Sequence, residues 1–77
     1  MQKLPTEVLK ELYRGIKHVI ASQHKVEEAV YQYYAEHPQE VDAEVEEFLY
    51  KSELLIQQEQ QLLKIYEQEF ARRGVTP

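Results

Sequence analysis

His24 and Glu28 stand four residues apart, a spacing that on a helix sets an imidazole and a carboxylate over one surface patch, within reach of a single metal ion. A zinc site takes three or four ligands. A lone pair falls short of that, so the spacing reads as a solvated i,i+4 interaction. Hydrolytic nucleophiles need Ser, Thr or Cys beside a base. The chain has no cysteine, Ser22 and Ser52 fall near the middle of its two halves, Thr6 and Thr76 near its ends, and none sits in a nucleophile motif. Glutamates are so frequent that carboxylate pairs at catalytic spacing arise by chance, and none by itself marks acid–base chemistry. Gly15 is isolated and Gly74 reads as a helix cap, so no phosphate-cradling loop is present. His18 reads as a surface residue and His37 as a turn residue before Pro38. The expectation is a protein without enzymatic activity, metal or cofactor.

What the sequence does concentrate is charge. Residues 27–47 hold eight acids and neither Lys nor Arg, whereas residues 1–26 sum to +3 and residues 48–77 balance, so the whole net charge of −5 comes from the middle of the chain. Four tyrosines, Tyr31, Tyr33, Tyr34 and Tyr50, lie in or beside that stretch. The candidate interaction tip is therefore Glu27, Glu28, Tyr31, Tyr34, Glu36, Glu40, Asp42, Glu44, Glu46, Glu47 and Tyr50. It would steer a basic protein surface towards rigid tyrosine contacts. Alternatively, crowded carboxylates would take up protons in mild acid and release amphipathic helices to a phospholipid surface. A plain reading competes with both: a solvated face that keeps a small helical protein in solution. The acidic balance argues against a nucleic-acid partner held through its phosphates.

The elements that must carry these groups are helical. Glu, Gln, Leu, Lys and Ala dominate, asparagine is absent, and no period-two alternation is sustained, which leaves an all-α class and one domain over residues 1–77. Leu4-Pro5-Thr6-Glu7 and His37-Pro38-Gln39-Glu40 each place a proline and a glutamate where a first helical turn accepts them. Arg72, Arg73 and Gly74 form a stop. Two long helices over about 5–36 and 39–73, folded at His37-Pro38 into an antiparallel hairpin, satisfy these signals. In the first, Leu12, Val19, Val26 and Tyr33 share one heptad position and Leu9, Ile16, Gln23 and Val30 another; in the second, the positions hold Val41, Phe48, Leu55 and Leu62, then Leu49, Ile56, Leu63 and Phe70, then Val45, Ser52, Glu59 and Tyr66. Partners whose numbers sum to roughly 76 would set Gln23 opposite Glu53 and its neighbour Ser52, and Lys17 opposite Glu59. A rival arrangement breaks the helices at Ser22 and Ser52 into four or five short ones.

The stretch from Val26-Glu27-Glu28-Ala29-Val30-Tyr31 through His37-Pro38 to Glu47-Phe48-Leu49-Tyr50 resembles the middle of a saposin-like helical protein, and in size and acidity the chain is similar to the small bacterial secretion-activating PAS factors. That resemblance implies short saposin-like helices, no disulfides, and perturbation of bilayers so that other proteins leave the cell. Size, helix count and heptads also resemble, generically, the two-helix chaperones and adaptors of bacterial secretion systems. Charges at Lys3, Glu7, Lys10 and Glu11 interrupt any signal-peptide apolar region, and the longest strongly apolar run is Leu54-Leu55-Ile56, so cytoplasmic residence with peripheral membrane association at most is expected. The functional expectation is a helical adaptor or chaperone that lends its apolar seam to a protein partner or a second copy, completing a four-helix bundle. The alternative is a saposin-like, membrane-perturbing promoter of secretion, more active at acidic pH.

Overall fold

The computed structural model describes residues 3–77. Two helices of equal length, α1 (Thr6–Glu36) and α2 (Ala43–Arg73), fold back on one another across a short 3₁₀ turn at Pro38–Glu40, giving a rod of 52 × 16 × 15 Å. Both helices run unbroken through Ser22 and Ser52, so the short-helix arrangement does not form. Each helix of 31 residues accounts for about 46 Å of that length at ~1.5 Å per residue.

Local chemistry sets the ends. Pro5, extended at φ −58° and ψ 146°, precedes α1, and its carbonyl accepts from Leu9 N–H at 3.0 Å. At the other end of α1 no basic residue sits in the last turn, and His37 substitutes: Nδ1–H donates to the Tyr33 carbonyl at 2.8 Å while the imidazole stacks on the Tyr33 ring at 4.2 Å. The second helix begins four residues later than the proline signal suggests. Pro38 opens the 3₁₀ turn, Val41 and Asp42 are extended, and the Asp42 carboxylate caps α2 by accepting from Val45 N–H at 3.0 Å. The stop at Gly74 is as expected: at φ 70° its N–H donates to the Ala71 carbonyl and Val75 N–H to that of Phe70, with Val75 packed against the core.

The later start of α2 shifts the register. Thr6 meets Arg73, Tyr13 meets Glu67 and Glu27 meets Ser52, and with Gln23–Ser52 and Tyr31–Glu53 on either side of these the partner numbers centre near 79 rather than 76. The Lys17–Glu59 pair is accordingly not made; the Lys17 ammonium lies instead 5.3 Å from the centre of the Tyr13 ring. Near the open end, Leu9, Tyr13, Tyr66 and Phe70 form the main core, flanked by Ile16, Leu62, Leu63 and Val75, with the Tyr13 and Phe70 rings edge to face at 5.4 Å. An ion cluster closes this end. Glu69, its side chain only 10% exposed, accepts from both Arg72 and Arg73, and Arg73 reaches across to donate to Thr6 Oγ1 at 3.1 Å.

Two predictions follow from this geometry. Phe70→Ala should cost about 3–5 kcal/mol, because a fully buried ring is lost, against about 1 kcal/mol for the cap variant Asp42→Ala; urea unfolding followed by circular dichroism measures both. The two guanidinium groups hold the Glu69 carboxyl at about 2, below its ordinary 4.5. Its stabilising contribution is therefore complete above the unfolded value and disappears as pH falls from 4.5 through 2. The stability gap between the parent chain and Glu69→Gln should be constant near neutrality and close across that window in a pH series of thermal melts.

Candidate functional site

The register decides which of the apolar stripes lie inside. Leu9, Ile16, Gln23 and Val30 alternate with Tyr13, Ile20, Glu27 and Tyr34 against α2, whose inward positions are Val45, Leu49, Ser52, Ile56, Glu59, Leu63, Tyr66 and Phe70. Halfway along the rod this interface turns polar. Gln23 Nε2 donates to Ser52 Oγ at 2.5 Å, and Ser52 Oγ donates to Glu27 Oε1 at 2.6 Å; Ser52 and Glu27 are 4% and 8% exposed. Among the described residues every buried side-chain polar atom has a partner.

Glu27 was expected on the acidic tip, and the structure moves it inside, where its carboxylate faces Ser52 rather than a visitor. The other acids of the tip are solvent-facing: Glu28 and Glu36 on α1, Glu40 in the turn, and Asp42, Glu44, Glu46 and Glu47 at the start of α2. The tyrosines separate. Tyr34 is half-buried, Tyr50 is 67% exposed on the outside of α2, Tyr31 donates to Glu53 at 2.7 Å, and Tyr33 donates to Glu40 at 2.6 Å while touching Tyr34 edge to face. Hydrogen bonding to those carboxylates raises the Tyr31 and Tyr33 hydroxyls above their ordinary 10, and burial, reinforced by Glu67, does the same for Tyr13. An open cleft of about 360 Å³ sits at this end between Val30, Tyr34, Val45 and Phe48, with Asp42 and Glu44 at its rim.

The two long sides of the rod differ in kind. On one, Lys10, Lys17, His24 and Tyr31 of α1 run beside Glu67, Gln60, Glu53 and Glu46 of α2, and the Tyr31–Glu53 and Tyr13–Glu67 hydrogen bonds tie that side across. Antiparallel packing brings equivalent heptad positions of the two helices together, so the remaining stripes share the other side. There Leu12, Val19, Val26 and Tyr33 are 41–47% exposed, and Val41, Phe48 and Leu55 are 39–41% exposed. These positions carry no polar interruption, yet they face outward; Gln23, Ser52 and Glu27, which interrupt the inner stripes, are inside and bond to each other. This outward side was not singled out from the sequence, and the signal for it was present: each helix carries one more apolar stripe than a two-helix contact uses.

No protein-family model matches the chain, and no curated protein and no solved structure is detectably similar to it. Among the described residues no group of three or more His, Asp or Glu converges as a metal site, and no helix is long and apolar enough to cross a membrane.

Ser52→Ala removes the donor from a buried carboxylate and should destabilise the hairpin by about 1–3 kcal/mol. Replacing Gln23, Glu27 and Ser52 together by leucine should leave stability unchanged or higher, because a buried charge is no longer desolvated. Chemical denaturation of the two variants makes the comparison.

Proposed function

We propose that the chain is a non-enzymatic helical adaptor or chaperone that works by offering its open apolar side to another helix, with the acidic bend steering the approach of basic partners. The observation that carries this reading is the run of large apolar residues left 39–47% exposed along one side of a structure whose other side is closed by hydrogen bonds. A patch of this length exceeds the scattered exposed apolar residues normal on a monomer, and such patches mark interaction surfaces. Seven acids around the bend, with Glu27 withdrawn inside, give the steering field its sign.

A photoreactive side chain placed at Val19 or Leu55, on the apolar side, should cross-link to a polypeptide in a cell extract, whereas the same group at Ala21 or Gln57, on the outer faces, should not. Equal yields from all four positions, or none from any, would contradict the adaptor reading.

A further inference from the structure

The open side of α1 is built as a second helix-packing seam. Leu12, Val19, Val26 and Tyr33 recur every seven residues, and between them Gly15, Ser22 and Ala29 recur at the same period, so that positions 8 to 33 step by four and three throughout. Such stepping is the signature of a coiled-coil seam, in which the side chains of one helix enter holes on another. The small members are exposed, and a Cβ placed on Gly15 meets nothing within 4 Å, so the holes stand empty in the single chain.

Two properties of the seam name what fills it. The first is its order of sizes. If the seam meets its own copy running the opposite way about a centre between Ile20 and Ala21, Leu12 falls opposite Ala29, Val26 opposite Gly15, Val19 opposite Ser22 and Tyr33 opposite Val8. Every large residue then faces a smaller one. Run parallel, the same seam sets large against large and glycine against glycine, leaving bulges and voids. The second is charge. The bend carries −8 over residues 27–47, whereas the open end, with Lys3, Lys10, Arg14, Lys64, Arg72 and Arg73 against Glu7, Glu11, Glu67 and Glu69, is net positive. The antiparallel pairing lays each acidic bend beside the partner's basic end; the parallel one stacks the two acidic bends together. The seam is also long, because positions 8 to 33 run for about 38 Å of the 52 Å rod at ~1.5 Å per residue.

We infer that α1 is the dimerisation helix of this protein: a second copy of the chain docks antiparallel on the seam of Leu12, Val19, Val26 and Tyr33, bends at opposite ends, with Phe48 and Leu55 of α2 closing the edge of a four-helix assembly. This rests on reading the open side as a helix-binding surface, and names its occupant.

Because the chain has no cysteine, single-cysteine variants report orientation without interference. An equimolar mixture of Leu12→Cys and Ala29→Cys chains, oxidised gently, should give mainly the mixed disulfide dimer, and sedimentation of the parent chain at high micromolar concentration should give about twice the 9.2 kDa of one chain. Gly15→Leu, at an exposed position where an added Cβ meets nothing within 4 Å in the hairpin, should retain the helical spectrum and weaken the dimer at least tenfold. A parent chain that stays monomeric, or a mixture dominated by Leu12–Leu12-position disulfides, overturns the inference. A monomer whose Val19 photoprobe still captures a different protein leaves the adaptor reading standing while removing the dimer. A monomer that instead releases dye from anionic vesicles, and loses that action in Val19→Glu, assigns the face to lipid and contradicts both.

Discussion

A buried carboxylate halfway along a two-helix rod constrains everything around it. Glu27 has one donor inside the hairpin, Ser52, which is in turn held by Gln23. Sliding α2 by one heptad preserves most apolar contacts, since the seams repeat every seven residues. It also sets Glu27 opposite Glu59 in one direction or Val45 in the other, which gives a like charge or no donor at all. A buried charge left unpaired costs far more than a paired one contributes, so this layer acts chiefly against the wrong registers. With the register set, the sides are set too: Tyr31 and Tyr13 find Glu53 and Glu67 on one, and Leu12, Val19, Val26 and Tyr33 with Val41, Phe48 and Leu55 are left on the other.

The same constraint explains why so short a chain can hold so extended a shape. Two helices cannot surround a core, and among the described residues only Leu9 and Phe70 are large side chains less than 2% exposed. Directional contacts supplement apolar burial along the rod: the Glu69–Arg73–Thr6 cluster and the Tyr13–Glu67 bond towards the open end, the Glu27 layer in the middle, and the Tyr31–Glu53 bond and Tyr33–His37–Glu40 contacts towards the bend. Between these points the outer stripes contribute little within one chain. Apolar area exposed on folding is stabilising only when something else covers it, which links the architecture of the single hairpin to a function in association.

Much of this was legible in the sequence, for local reasons. The helix ends were marked by residues that act within one turn, such as Gly74, and the polar positions of the two halves pointed to Gln23 meeting Ser52. Two features were not legible. The start of α2 depended on Asp42 outcompeting Pro38 as the cap, a choice made by the turn and not by either residue alone. The inward faces depended on side-chain hydrogen bonds between distant positions: hydrophobicity alone ranks Leu12, Val19, Val26 and Tyr33 above a stripe containing Gln23 or Glu27, yet the latter are inside. Glu27 left the acidic tip for the same reason, because charge counted along the chain does not tell which carboxylates turn inward.

The claim that the polar layer chooses the register, and the register leaves one apolar side open, is tested most directly by interhelical nuclear Overhauser contacts within single labelled chains diluted into unlabelled protein. The account predicts cross-peaks from the Gln23 side-chain amide to Ser52 and from the Tyr13 ring to Phe70, with the methyl groups of Leu12 and Val26 lacking counterparts in the inward residues of α2. Intrachain contacts from Leu12 and Val26 to Ile56 or Leu63, with Gln23 and Glu27 turned to solvent, would contradict it.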